Sequence, residues 1–304
     1  MKRLSIAFAL ATLLCSVGVA TSGDQGQGKG NQGLGGPPPV AEPPMSGIQW
    51  ARDQARPGGG GSPLLVYHNG PIMSTGAYVE PIFWGPRWSD TSFAGDKITG
   101  LQSFYGGMGS SPYEATNTEY TQTGGAHVGT TISLGPSHVD LSVSAKNGSR
   151  TSPILAEACS QATNLMTDGY YPVYIDQPRG HAGYCAWHSA GTCPNGVTIQ
   201  FAFFFNLDGD PGCDPEDTSG SHSQGLAALA NVSGHELSEA LTDPHLNAWY
   251  DASGAENSDK CAWAFGTPLL TFSNGSTWKV QGNWSNAAYD ARSGYDGGGC
   301  IQTR

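Results

Sequence analysis

Charge is what this chain has least of. Asp, Glu, Lys and Arg make up 13% of it, and 14 basic residues face 25 acidic ones, a formal net charge of −11. That balance excludes the basic footprint by which proteins hold nucleic acid or an anionic membrane surface. Beyond the first twenty residues no apolar run is long enough to span a bilayer. The sequence has no G-x-S-x-G elbow for a serine nucleophile, no P-loop, and no G-x-G-x-x-G following a strand. It also lacks the close C-x-x-C pairs of a cysteine-rich zinc site.

The N-terminus reads as a secretory leader over residues 1–20. Lys2 and Arg3 form a positive start, Leu4 to Val17 an apolar core, and Gly18 and Ala20 a small-x-small site before Thr21. Loss of Lys2 and Arg3 would take the charge from −11 to −13. Leu14 stands where acylation of Cys15 would need a small residue. An extracellular, oxidising destination makes the six remaining cysteines candidates for disulfides. Of 15 possible pairings, Cys185–Cys193 and Cys261–Cys300 are expected, since each closes a glycine-containing segment.

Residues 21–62 hold Gly35-Gly-Pro-Pro-Pro39 and Pro57-Gly-Gly-Gly-Gly61, with too few apolar side chains to offset ordering entropy. They are expected to form a disordered tail, and residues 63–304 one folded domain. Strands are predicted at 64–68, 78–84, 139–143, 171–176 and 197–207. Helices are predicted from the stripe Ile98, Leu101, Phe104, Tyr105, from Ser152-Pro153 to about Met166, and from Ser221 to Leu241 before Asp243-Pro244. Alternating strands and helices joined by long Gly-rich loops predict a mixed α/β domain, a sheet with helices packed on it.

The third of these helices carries His235, Glu236 and Glu239. Positions i and i+4 share a helix face, so His235 and Glu239 point together and Glu236 projects beside them. This is the layout of the His-Glu-x-x-His metallohydrolase motif with a carboxylate as the second ligand, and zinc accepts either donor.

The segments Leu65-Val-Tyr-His-Asn-Gly-Pro-Ile-Met73 and Tyr78-Val-Glu-Pro-Ile-Phe-Trp-Gly85 resemble the opening of the EXORDIUM-like, or phosphate-induced, family. Gly183-Tyr-Cys-Ala-Trp-His-Ser189 and Thr242-Asp-Pro to Asn247-Ala-Trp-Tyr250 are similar to it as well. The resemblance implies an extracellular protein, since plant members are secreted wall proteins linked to growth. His235 to Pro244, Trp249-Tyr-Asp251 and Glu256-Asn-Ser-Asp-Lys-Cys261 together resemble the bacterial branch, which implies a metallopeptidase-like site.

A catalytic zinc needs three protein ligands and a base for water. His235 and Glu239 are two ligands and Glu236 the base. Glu256 is the expected third ligand, by likeness to zinc peptidases completed by a downstream glutamate, with Asp259 orienting an imidazole. His245, ten residues after His235, is the rival, though Thr242-Asp-Pro stands where that class needs a glycine turn. Asp243 and Asp251 are further candidates. His188 could reach the site as a ligand or transition-state donor, or pack as a structural residue. The acidic run Asn206 to Asp217 could hold Ca²⁺, although Pro211 occupies the glycine place of an EF-type loop. Two functions follow. One is a secreted zinc hydrolase acting on a peptide or cell-wall substrate. The other is a non-enzymatic extracellular protein whose acids are structural or hold a structural ion.

Overall fold

The computed structural model describes residues 42–54 and 63–304. The leader, and the expected tail up to residue 41, lie outside the described residues. In the sheet are β1 (Ser46–Trp50), β3 (Ala77–Val79), β4 (Ile82–Trp84), β5 (Ile132–Leu134), β6 (His138–Asp140), β7 (Gly169–Pro178), β8 (Tyr184–Thr192) and β9 (Thr198–Asn206). β2 (Val66–Tyr67) pairs apart from it with β10 (Trp249–Tyr250). The helices are α1 (Thr91–Ala94), α2 (Lys97–Met108), α3 (Ser152–Gln161), α4 (Gln224–Thr242) and α5 (Asn286–Ala291). The expected mixed α/β architecture is what forms.

The sheet runs β1-β8-β9-β7-β3-β5, with β4 between β7 and β6. β3 to β7 and β9 are parallel where they pair; β8 and β1 run antiparallel at one edge. β7 and β9 are apolar on both faces, as central parallel strands must be. The predicted strand over 78–84 is broken at Glu80-Pro81, because proline cannot donate to the ladder. The helix predicted to reach Met166 stops at Gln161: the N–H groups of Thr163 and Asn164 turn away to donate to the Glu80 carboxylate.

Side chains alternate across β8. Trp187 stacks on Phe203 and donates to the carbonyl of Gly148, and Leu155 of α3 lies against Gly191. His188, between them, therefore faces the opposite side, where α4 packs. On that side Tyr174 of β7 shares hydrogen bonds with Tyr105 of α2 and Ser233 of α4, both at 2.7 Å. α4 begins at Ser223, whose Oγ accepts from the Leu226 N–H, and ends at Asp243-Pro244. Every residue from Gly225 to Thr242 is buried, so α4 is a core helix and its polar side chains must find partners inside the protein.

Three disulfides tie the domain: Cys159–Cys193, Cys185–Cys213 and Cys261–Cys300. The expected Cys185–Cys193 bond is not made. Both lie on or beside β8, eight residues apart along an extended strand, and each is bridged to a neighbouring segment instead. Residues 42–54 also depart from expectation, forming β1 on the edge of β8 rather than a tail.

Candidate metal centre

α4 brings His235 and Glu239 together one turn apart, with His235 Nε2 3.2 Å from Glu239 Oε1. Asp259, in the short helical turn Asp259–Cys261, approaches from the following loop. Its Oδ1 is 3.7 Å from His235 Nε2, and its backbone N–H donates to Glu239 Oε1 at 2.8 Å. β8 supplies His188, whose Nε2 is 3.6 Å from Glu239 Oε2 and 3.3 Å from Glu256 Oε1. Two triads result, His235–Glu239–Asp259 and His188–Glu236–Glu239. They share Glu239, and within each the donor atoms lie inside 4.8 Å of one another.

Glu256 meets His188 rather than His235, and its Oε1 accepts from Ser46 Oγ at 2.6 Å. Asp259, expected as an orienting group, stands at the third corner beside His235 and Glu239. The other candidates are engaged elsewhere. Asp243 Oδ1 accepts the N–H groups of Asn247 and Ala248, both at 2.6 Å, and closes the turn after α4. Asp251 binds Lys260 at 2.8 Å. His245 is in neither triad. In the run 206–217, Asp208 pairs with Lys97 and Asp210 with Arg179, so cationic side chains already meet those acids.

The centre is buried and short of positive charge. His235, Glu236 and Glu239 have no exposed surface, while Asp259 is partly open. Burial, then the charges of Glu239, Asp259 and Glu256, hold the Glu236 carboxyl well above its ordinary value. No side chain among the described residues donates to either of its oxygens; the backbone N–H of Gln49 is the donor that faces them. Burial pulls the His188 imidazole down, but Glu256, Glu239 and Asp243 outweigh it and push it up to about 9. Burial and Glu239 raise Glu256 to about 7, against the pull of His188. Four carboxyl groups facing two imidazoles in a largely buried space make a field that a divalent cation would relieve. The donor set, one or two imidazoles with carboxylates, suits zinc.

One contact sets a condition on that fit. Gln281 donates from Nε2 to the Ser258 carbonyl at 2.8 Å, and its Oε1 accepts from the Trp263 N–H. The same Nε2 is 2.9 Å from His235 Nδ1. Nδ1 therefore accepts, and the neutral ring carries its proton on Nε2, the atom aimed at Glu239 and Asp259. Ligation through Nε2 requires the proton on Nδ1 and the Gln281 amide turned to receive it.

A pocket of about 200 Å³ opens beside the cluster, lined by Met45, Gly47, Ile48, Trp50, Gly254 and Asp259 among others. His188 is the residue whose position the sequence reading left most open. Its signal was the alternation of Tyr184 to Thr192, legible once that stretch is recognised as a strand.

No family model matches the chain, and no solved structure matches it. Among curated proteins it is similar to Protein EXORDIUM-like 3 of Arabidopsis thaliana, 26% identical over 263 residues covering 72% of this chain and 77% of that protein. That likeness supports the resemblance carried by the opening motif.

Proposed function

We propose that the protein is a secreted, zinc-dependent hydrolase of the peptidase type, of the kind found in the bacterial branch that the motif helix resembles. The observation that carries this is the convergence of His235, Glu239 and Asp259 with the carboxyl of Glu236, to which no described side chain donates, beside them. His235, Glu239 and Asp259 would hold the ion, with Glu256 next to them on His188. When bound, zinc supplies Lewis-acid polarisation of a carbonyl and of a water molecule. Glu236 takes the proton of the attacking water and returns it to the departing amine. Burial and the charges of Glu239, Asp259 and Glu256 hold that carboxyl protonated without a cation; a divalent ion held by Glu239 and Asp259 would offset those charges and free it to act as the base. His188, whose Nε2 stands 3.6 Å from Glu239 and 3.3 Å from Glu256, would donate towards the oxyanion that develops on the substrate carbonyl. Three disulfides fit an oxidising compartment, and among the described residues no helix is long and apolar enough to cross a membrane.

The test is zinc content of the purified protein by mass spectrometry, together with casein hydrolysis. Stoichiometric zinc that is lost in His235→Ala is expected. Glu236→Gln is expected to keep the metal and lose about 10²- to 10⁴-fold in rate. A second reading, a non-enzymatic extracellular protein, is favoured by the amide of Gln281 facing His235 Nδ1 and by the likeness to a plant EXORDIUM-like protein. Protein that binds no zinc at any pH between 5 and 9 would leave that reading standing.

A further inference from the structure

A segment of the chain already lies across this cluster. β1 runs antiparallel along the edge of β8, with Ser46 opposite His188, Gln49 opposite Ala186 and Trp50 opposite Tyr184. Three residues of advance on β1 match two on β8, a bulge that lowers the backbone around Gly47 towards the site. Ser46 Oγ donates to Glu256. Gly47 has φ of +50°, and a Cβ there would stand 2.0 Å from Glu239 Oε2 and 2.4 Å from His188 Nε2. Only glycine fits that conformation and that space. The backbone N–H of Gln49 faces the carboxyl of Glu236. Ser46, Gly47 and Gln49 of one bulged strand thus address Glu256, then His188 and Glu239, then Glu236.

The strand is not fully satisfied where it sits. The side-chain amide of Gln49 is completely buried, and neither its nitrogen nor its oxygen completes a hydrogen bond. A strand fitted only for stability would pair such a group. Without β1, the edge of β8 would present unpaired backbone groups beside the cluster, the geometry by which an extended peptide adds to a sheet.

We propose that β1 covers the substrate groove: the groove binds an extended peptide antiparallel to β8, requires glycine where Gly47 lies, and is filled in this chain by its own strand, so that the casein hydrolysis of the wild type reads only the fraction of molecules in which that strand has lifted. The fate of the bound peptide rests on the hydrolase reading; the groove does not.

The probe is a fluorescent peptide with the sequence of residues 42–54, titrated by anisotropy into the full chain and into Gly47→Val. The valine side chain cannot share the space of Glu239 and His188, so β1 is expelled. The variant is expected to bind the peptide at least about tenfold more tightly than the wild type, whose groove is filled. It is also expected to refuse the same peptide carrying valine for glycine. Hydrogen exchange should report loss of protection at the Gln49 amide. If Gly47→Val fails to fold, Ser46→Ala with Trp50→Ala loosens the strand without a clash and is read the same way. A folded variant that binds neither peptide, or binds both equally, overturns the proposal. Binding of the glycine peptide by protein that takes up no zinc would keep the groove and remove the hydrolase. Zinc-dependent casein hydrolysis by a folded, strand-loosened variant that fails to bind the probe would do the reverse.

Discussion

The protein buries two carboxylates beside histidines on opposite sides of its sheet order, and it treats them in opposite ways. Glu80, at the break between β3 and β4, accepts from Tyr78 Oη at 2.7 Å, from the Thr163 N–H at 2.8 Å and hydroxyl at 3.1 Å, and from the Asn164 N–H at 3.1 Å. His138 Nε2 is 2.8 Å away. Glu236, likewise without exposed surface but deeper in the protein, receives no described side-chain donor and faces other acids. Burial penalises both charges, yet the donors around Glu80 bring its carboxyl below the ordinary value, while Glu236 is driven well above. Depth and the supply of donors act together on a carboxyl. A carboxylate met by many donors is a structural tie; a deeper one met by acids and one backbone N–H is poised to hold or exchange a proton.

Stability measurements should split the pair most widely. Glu80→Ala leaves several buried donors unmet and is expected to cost about 3–5 kcal/mol in urea unfolding. Glu236→Gln removes a penalised acid and is expected to change stability by less than about 1 kcal/mol, or to raise it. Equal losses in the two variants would break the contrast.

Gln281 offers the next lever. Gln281→Glu places an acceptor at His235 Nδ1 and should tighten zinc binding by about 10- to 100-fold in calorimetry, since such outer partners set the tautomer. Unchanged affinity would mean that His235 does not ligate through Nε2.

The pH dependence should have opposite signs at the two sites. Glu80 has a lowered folded pKa, so its stabilisation is present above the unfolded value near 4.5 and is lost as pH falls through the folded pKa. Glu236 has a raised folded pKa, so its ionisation in the unfolded chain from about pH 4.5 upward draws stability away as pH rises. The gap between wild type and Glu80→Gln should therefore shrink in acid. The advantage of Glu236→Gln should shrink there too, having grown towards neutral pH. Chemical unfolding between pH 3 and 8 reads both. A Glu236→Gln difference that stayed constant over this range would place that carboxyl in an ordinary environment.

Much of the site was legible because it lies within one helix. The spacing of His235 and Glu239 fixes their common face whatever surrounds α4, and Ser223 and Pro244 mark its ends. The parallel core strands were equally plain, since a run such as Phe201-Ala-Phe-Phe-Phe205 is buried on both faces. What failed was non-local. Glu256 and Asp259 are three residues apart, and the loop's path sends one carboxylate to His188 and the other to His235. The cysteine partners depended on which segments flank β8, a matter of sheet order. β1 was hidden in a Gly/Pro-rich stretch because its anchoring contacts are supplied by β8, α4 and Trp263, whose indole donates to the Trp50 carbonyl.

The sequence by itself determined that an imidazole and two carboxyls share a helix and that the chain folds as a mixed α/β domain, because helical and strand periodicities are properties of the backbone. Only the tertiary structure decided that His188 and Asp259 join that helix, that Gln281 dictates the proton on His235, and that the chain's own strand lies over the cluster. Those are distances between segments far apart in sequence, and they are set by how the sheet and its loops pack together rather than by any local pattern.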